Sequence, residues 1–219
     1  MTDIVIDWVV HHALASPTKT ATIDLASGRR QNYAEMHDRV GRIAHFLRNA
    51  GVEKGDRVGL IALNSSDVLD FIFATWRIGA VHLALNFRLT SPELAFILGD
   101  ADPKLVIADQ VFSELVEALQ GQTPGVRWVE TDGLGGETEF ESAISELDSV
   151  EKIVPMVPAD QAMLMYSSGT TGRPKGVVLT HGNIIAAVIN EAINFEADRN
   201  TVSYAVMPLF HIGAMMGFS

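Results

Sequence analysis

Apolar side chains recur along the first part of the chain at two different spacings. Between residues 33 and 47 they return every three or four positions, after Asn32 and Glu35 in a capping-box pattern and before Gly51. This spacing predicts an amphipathic helix with one buried face that ends at the glycine. Residues 57–63 form a short, nearly continuous apolar run instead. Such a run is typical of a strand that is covered on both faces, as in a parallel sheet.

The same two kinds of segment alternate further along the chain. Residues 67–78 are apolar almost all round and stop at Gly79, which predicts a largely buried helix. Strands are predicted over residues 80–85 and 104–108, and between them residues 91–93, Ser-Pro-Glu, cap another helix with proline at its first helical position. Strands that alternate with helices predict an α/β fold with a mostly parallel sheet flanked by helices.

The sequence changes character between residues 121 and 160. Glycines, prolines and acidic residues concentrate there, so we expect surface connections that enclose a short helix near residues 140–147. We therefore divide the chain into a first α/β lobe with its linker, residues 1–160, and the start of a second lobe, residues 161–219.

The second lobe is predicted to continue the α/β pattern. Residues 162–166 and 176–180 read as strands joined by a polar loop, residues 183–195 as a helix and residues 202–207 as another strand. The final residues, 213–219, are apolar and carry no stop signal. Because a natural domain rarely ends in a segment that still needs a partner surface, we expect a truncated chain with an incomplete second lobe.

Composition and charge narrow the class of protein. The 219 residues are 47% hydrophobic, enough to bury a substantial core, and their formal net charge is -11. Nucleic-acid binding is disfavoured because no cluster of Lys and Arg is present to neutralise phosphates. The absence of cysteine excludes disulfides, thiolate metal sites and a cysteine nucleophile. Acidic residues near the N-terminus argue against a secretory signal, and no apolar run reaches the roughly 18 residues of a transmembrane helix. We expect a soluble cytoplasmic protein, for which a homodimer stays open.

A loop rich in glycines and hydroxyls lies between the first two predicted strands of the second lobe. Glycines let successive backbone N–H groups converge on an anion, hydroxyls donate to phosphate oxygens, and a lysine adds a compact positive charge. This combination of donors and positive charge is suited to binding a polyphosphate. The candidate phosphate-binding residues are Ser167, Ser168, Gly169, Thr170, Thr171, Gly172 and Lys175.

Other interpretations of the glycines are weaker. A Walker A loop would need Ser or Thr where Gly176 stands, and a Rossmann fingerprint that starts at Gly133 would need glycine where Thr138 stands. A flexible linker between two strands is the remaining alternative. A linker has no reason to place Pro-Lys-Gly directly before an apolar strand, so a phosphate site is favoured.

Residues 166–181 resemble, almost residue for residue, the phosphate-loop motif of the adenylate-forming superfamily: Tyr-Ser-Ser-Gly-Thr-Thr-Gly-Arg-Pro-Lys-Gly-Val-Val-Leu-Thr-His. This superfamily includes acyl-CoA synthetases, 4-coumarate–CoA ligases, firefly luciferase and peptide-synthetase adenylation domains. Further matches are Lys-Gly-Asp-Arg-Val at 54–58 followed by Asn64, Ile-Gly-Ala at 78–80, Leu-Asn at 85–86 and Met-Pro-Leu-Phe-His at 207–211. Their order and spacing resemble the N-terminal region of an acyl-CoA synthetase.

The resemblance implies a two-step reaction. In that family a carboxylic acid and ATP give an acyl-adenylate and pyrophosphate, and coenzyme A then displaces AMP to give a thioester. ATP, Mg²⁺ and coenzyme A are therefore implied. Charge that builds on the pyrophosphate needs positioned donors, and Thr170, Thr171 and Lys175 are the leading candidates to hold it. The other hydroxyls and glycines of the loop shape and line the site.

His211 completes the set of candidate catalytic residues, with Thr171 and Lys175. It follows a predicted strand, where open α/β sheets gather ligands, and the family has a similarly placed histidine beside the acyl carboxylate. A satisfied core histidine is the alternative for His211, and His181 is expected to be structural.

The expected substrate is a carboxylic acid with an uncharged tail. Amino-acid-activating relatives place an aspartate shortly after the aromatic residue equivalent to Phe210, but residues 211–216 read His-Ile-Gly-Ala-Met-Met. A fatty or aromatic acid is therefore favoured, with a place in fatty acid metabolism. The adenine, ribose and magnesium residues of the family and its C-terminal lid come later in longer proteins, so we expect this chain alone to be inactive. A non-catalytic nucleotide-binding module and an amino-acid adenylation domain are the alternatives.

Overall fold

The computed structural model describes residues 4–132, 136–149, 152–167 and 173–215. A single 3-10 turn, Gln110–Phe112, precedes the fifth helix. The helices and strands, in chain order, are α1 (Trp8–Ala15), β1 (Thr20–Ile23), β2 (Arg30–Asn32), α2 (Tyr33–Asn49), β3 (Arg57–Ile61), α3 (Ser66–Arg77), β4 (Val81–Ala84), α4 (Ser91–Ala101), β5 (Leu105–Asp109), α5 (Ser113–Gln120), β6 (Trp128–Thr131), α6 (Glu139–Ser145), β7 (Gln161–Ser167), β8 (Lys175–Thr180), α7 (His181–Asn194) and α8 (Ile212–Met215).

Six of the strands form one sheet in the order β6-β5-β3-β4-β7-β8. Every neighbouring pair is parallel except β7 and β8, which are antiparallel. Strands β1 and β2 form a separate antiparallel hairpin. Parallel neighbours need a crossover connection, which α3, α4 and α5 provide. The predicted α/β fold with a mostly parallel sheet flanked by helices is confirmed.

Helices cover both faces of the sheet. On one face α2 and α3 pack through residues such as Ile43 and Phe71. On the other face α4 packs through Leu94 and Ile97. All five residues of the interior strand β5 are buried, as expected for a strand between two helical layers. Each large apolar side chain buried in this way contributes roughly 1.5–3 kcal/mol.

The helix predicted from the capping box is α2. The Asn32 side chain accepts a hydrogen bond from the Glu35 amide at 2.9 Å, and the Glu35 carboxylate accepts one from the Asn32 amide at 2.8 Å. Beyond the last turn Gly51 takes a left-handed conformation with φ of 81°, which glycine adopts without steric cost. Both ends of this helix were therefore encoded locally in the sequence.

A buried charge cluster, formed by Arg29, Arg39, Asp67, Asp70 and Glu141, joins three helices and the turn between β1 and β2 on the α2–α3 face. Arg39 lies at its centre, with its Nε 3.2 Å from Asp70 Oδ2 and an Nη 2.8 Å from Asp67 Oδ1. Arg39 also pairs with Glu141 on α6, and Arg29 beyond β1 pairs with Asp67. Asp70 has no exposed surface, and burial raises its pKa to about 7.

The strand predicted over residues 202–207 is wrong. The structure shows no strand in that segment, and most of its apolar side chains are exposed, with Val202 at 87% and Tyr204 at 72%. Its backbone pairs with no strand among the described residues, and the Met207 carbonyl accepts instead from the side chain of Asn64. A mostly apolar sequence alone does not supply the neighbour that a strand requires.

Helix α4 begins one residue earlier than predicted. Thr90 rather than Ser91 is the N-cap, since the Glu93 carboxylate accepts hydrogen bonds from the Thr90 amide and hydroxyl at 2.8 and 2.6 Å. Proline consequently occupies the second helical position. The shift places Glu93 at the third helical position, which is the one that reaches back to the N-cap in a capping box.

Strand β6 was missed, because it lies within the segment 121–160 that was expected to form surface connections. It pairs with β5 from Val106↔Trp128 to Asp109↔Thr131. Helix α1 and the β1–β2 hairpin were also not predicted. Strands β7 and β8 extend the same sheet as the preceding strands, while the division at residue 160 stays a prediction. None of the helices in the described ranges combines the length and apolar composition that a bilayer-spanning helix needs.

Candidate functional site

The predicted phosphate loop is framed by the antiparallel pair β7–β8. Ser167 ends β7, Lys175 begins β8, and the two residues lie opposite each other in the pair. Both side chains are exposed. The other candidate phosphate-binding residues lie outside the described residues: Ser168, Gly169, Thr170, Thr171 and Gly172. The structure therefore fixes the two stems between which this loop runs.

The Lys175 amine is available to an anionic ligand. Within the described ranges Lys175 takes part in no ion pair, whereas Lys54 and several arginines do. An exposed ammonium that is not already neutralised retains its charge for a phosphate. The residue types present thus fit the outer phosphates of a nucleotide.

The stem on the β8 side is fixed by a contact between Gly176 and Tyr166. A Cβ atom added to Gly176 would lie 3.3 Å from Tyr166 Cζ and 3.2 Å from Leu164 Cδ1, which is tighter than ordinary packing. The Tyr166 hydroxyl donates to Asp100 Oδ2 on α4 at 2.5 Å. Burial, and then the nearby Asp100 carboxylate, raise the pKa of Tyr166 well above its usual value. Glycine at 176 therefore makes room for a ring that connects the stem to α4.

The loop stems and the end of β4 share one edge of the sheet, the carboxyl edge, where the parallel strands end. Strands β4 and β7 are parallel, with Ala84 opposite Met165. Asn86 and Ser167 each follow two residues after these partners, so the chain leaves both strands at the same edge. Ligands of open α/β sheets gather at this edge, which is where the sequence places its phosphate loop.

The segment 207–211 crosses the same edge and is anchored at three points. The side chain of Asn64, three residues after β3, forms two hydrogen bonds with the backbone of this segment, one with Met207 and one with Leu209. The Leu209 side chain is buried in the core. Phe210 packs edge-on against Phe87, with ring centroids 5.0 Å apart. His211 directly follows these anchors.

His211 presents a hydrogen-bond donor to solvent. The residue is exposed, which argues against the alternative of a buried core histidine. Its Nδ1 accepts a hydrogen bond from the Gly213 amide at 3.2 Å, so in the neutral ring the proton resides on Nε2. A donor at Nε2 can bind one oxygen of a carboxylate. His211 therefore lies at the carboxyl edge in a tautomer suited to an anionic group.

Two other histidines are buried and serve packing. His181, at the start of α7, lies edge-on to Trp76 with ring centroids 5.4 Å apart, and burial lowers its pKa to about 4. His82 in β4 is fully buried, and burial lowers its pKa to about 3. Both rings are therefore neutral at physiological pH. The described residues contain no group of three metal-binding side chains.

Three residues that shape the site were missed as site residues. Phe87 contacts Phe210, the Arg88 guanidinium lies 5.8 Å from the centre of the Phe210 ring, and Asp100 accepts from Tyr166. Each contact joins residues that are far apart in the chain. No local pattern in a single sequence signals such pairs.

Three known proteins are similar to the chain over most of its length. Feruloyl-CoA synthase of Amycolatopsis sp is 36% identical over 212 residues, which cover 95% of this chain and 40% of that protein. Long-chain-fatty-acid–CoA ligase FadD13 of Mycobacterium tuberculosis H37Rv is 32% identical over 215 residues, or 96% of this chain and 42% of that protein. The crystal structure of ATP-bound MatB from Rhodopseudomonas palustris matches with a TM-score of 0.82 at 30% identity, over 92% of this chain and 39% of that one.

The chain spans about two fifths of the length of the curated relatives it matches. Residues 9–219 match the family model described as AMP-binding enzyme. The match includes both loop stems and the segment that carries His211. The chain therefore belongs to the family of AMP-binding enzymes.

Proposed function

We propose that this chain is the N-terminal, ATP phosphate-binding part of an AMP-forming acid–thiol ligase, an acyl-CoA synthetase. AMP-binding enzymes of this kind use ATP and coenzyme A as substrates. The observation that carries the proposal is the arrangement of the carboxyl edge, where the loop stems Ser167 and Lys175 and the exposed His211 occur together. The names of the two curated relatives, a feruloyl-CoA synthase and a fatty-acid–CoA ligase, support the same reaction class.

In the proposed first step a carboxylate oxygen attacks the α-phosphorus of ATP. A new oxygen–phosphorus bond forms, the bond from the α-phosphorus to the bridging oxygen breaks, and pyrophosphate leaves with the negative charge. The Lys175 ammonium and the hydroxyls of Thr170 and Thr171 stabilise that charge, and Ser167, Ser168, Gly169 and Gly172 line the loop. Mg²⁺ would accompany the polyphosphate and share its charge.

His211 would hold the acid for this attack. Its Nε2–H can donate to the carboxylate oxygen that does not attack, which keeps the acid oriented toward the α-phosphate. The neighbouring rings of Phe210 and Phe87 offer an apolar surface, which suits the tail of a fatty or aromatic acid. We propose such an acid as the substrate.

The second step is proposed for a longer protein that includes this chain. The thiol sulfur of coenzyme A attacks the acyl carbon of the adenylate and loses its proton to solvent. A thioester bond forms, the bond from the acyl carbon to the phosphate oxygen breaks, and AMP leaves. Groups for adenine, ribose and coenzyme A would come from the length of the relatives that this chain does not span. A cytoplasmic location and a homodimer stay predictions, which fractionation and light scattering of the full-length protein can test.

A panel of carboxylic acids tests the function. Full-length protein is incubated with ATP, Mg²⁺ and coenzyme A, and with ferulate, a long-chain fatty acid or an amino acid, while AMP and thioester are measured. We expect thioester with an aromatic or fatty acid. AMP release with amino acids alone would establish an adenylation domain, and nucleotide binding without any AMP release would establish a non-catalytic module. Either result would refute the proposal.

A further inference from the structure

The side chain of Asn64 replaces a strand in holding the segment 207–211. Its Nδ2 donates to the Met207 carbonyl at 2.8 Å, and its Oδ1 accepts from the Leu209 amide at 2.8 Å. These two bonds flank Pro208, which has no N–H of its own. A primary amide carries a donor and an acceptor side by side, as a peptide group does. Asn64 therefore pairs with this segment as a neighbouring strand would.

Asn64 is itself held in place by the residues around it. It follows β3, which lies between β5 and β4 in the middle of the sheet. The Ser66 amide, two residues on, donates to Asp24 Oδ2 at 3.0 Å. Asn64 thus connects the segment to the end of a strand in the middle of the sheet.

The anchoring ends directly before His211. Leu209, whose amide is bound by Asn64, is only 5% exposed, and Ala214 beyond His211 is 6% exposed. His211 therefore lies between two buried points of a short segment. Any shift of residues 207–209 away from Asn64 would move the imidazole with them, because only Phe210 separates Leu209 from His211.

We propose that Asn64 is a positioning residue that sets the place of the His211 imidazole at the carboxyl edge of the sheet. The proposal rests on the proposed role of His211 in holding the carboxylic acid. Among the described residues the side chain of Asn64 forms hydrogen bonds with Met207 and Leu209 and with neither loop stem, so we expect its effect on the acid and not on the nucleotide.

Two substitutions separate the donor from the acceptor. Asn64→Asp keeps an acceptor for the Leu209 amide but sets a carboxylate oxygen against the Met207 carbonyl, whereas Asn64→Ala removes both bonds. The Asn64 side chain is exposed, so neither change opens a cavity in the core. The matched control is Asn183→Asp at the start of α7, where Asn183 Oδ1 only accepts, from Thr180, at 3.0 Å. A carboxylate can keep that bond.

The test uses full-length protein and measures acid-dependent exchange between pyrophosphate and ATP. We expect both Asn64 variants to raise the KM for the acid about ten-fold or more, on the scale of a lost hydrogen bond, while the KM for ATP and the melting temperature stay unchanged. In parallel, amide hydrogen exchange of residues 205–211 should become faster in Asn64→Ala. Asn183→Asp should behave as the wild type in both assays.

The outcomes distinguish the inference from the function on which it rests. Faster amide exchange together with a raised KM for the acid supports it. Unchanged amide exchange, or faster exchange with an unchanged KM, overturns the inference while the proposed ligase function stands. If wild-type protein shows no acid-dependent exchange with any acid of the panel, the proposed function fails and the inference falls with it.

Discussion

The buried charge cluster makes protein stability depend on the protonation of one carboxyl group. Asp70 lies fully buried, 3.2 Å from Arg39 Nε and 3.1 Å from Gln31 Nε2, and its other oxygen has no hydrogen-bond partner within the described ranges. Burial, the largest effect, and the nearby Asp67 raise the pKa of Asp70 to about 7, against the opposing effects of Arg39, Gln31 and Arg29. Between these two pKa values, Asp70 is therefore protonated in the folded protein and ionised in the unfolded chain.

The sign and size of the effect follow from this pKa. Because the folded state binds more protons than the unfolded state between pH 4 and 7, the free energy of unfolding falls as the pH rises through that window. The usual value for the group is 3.8 and the folded value about 7, and one unit corresponds to about 1.4 kcal/mol. The loss has an upper limit of about 4 kcal/mol.

Asp70→Asn should remove this loss, because the amide stays neutral at every pH. We expect the variant to gain stability relative to wild type as the pH rises from 5 to 8, measured by urea unfolding of the purified protein at several pH values. The control is Asp102→Asn. The Asp102 side chain is 92% exposed, and its backbone is left-handed, a conformation that asparagine also adopts. Parallel stability curves for wild type and Asp70→Asn across this range would refute the reasoning.

Two further substitutions test the carboxyl edge. Gly176→Ala should displace the Tyr166 ring, since the new Cβ would lie 3.3 Å from Tyr166 Cζ, and should lower the free energy of unfolding in urea by about 1–3 kcal/mol. The control Gly99→Ala, whose new Cβ would meet no atom within 4 Å, should not destabilise the protein. Equal effects of the two substitutions would contradict the contact between residue 176 and Tyr166. His211→Ala in full-length protein should lower kcat/KM for the acid about 100-fold, while ATP binding measured by calorimetry should not change. An unchanged kcat/KM would show that His211 does not bind the acid.

Features that are local in the sequence could be predicted, and features that join distant residues could not. The capping box at Asn32 and Glu35 encodes the start of α2 within four residues. The continuous apolar run of β3 likewise indicates a central strand. In contrast, Asn64 bonds to residues 143 and 145 positions later in the chain, and hydropathy carries no information about such pairs.

The two errors over strands have the same physical origin. Residues 202–207 include valine and tyrosine, which are common in strands, but strand formation depends on a neighbour that offers backbone hydrogen bonds. β6 is only four residues long and lies among glycines and prolines, yet it forms because β5 presents a free edge. Whether a segment forms a strand thus depends on the neighbouring strand as much as on its own residues.

Labelled pyrophosphate exchange into ATP by the full-length protein tests most directly whether the loop that ends at Lys175 holds the leaving pyrophosphate. Lys175→Ala should reduce acid-dependent exchange about 100-fold, the scale of one lost donor to a developing anion. Lys152→Ala, which removes another exposed lysine, should exchange at the wild-type rate. Exchange at an undiminished rate in Lys175→Ala would contradict the assignment of this loop.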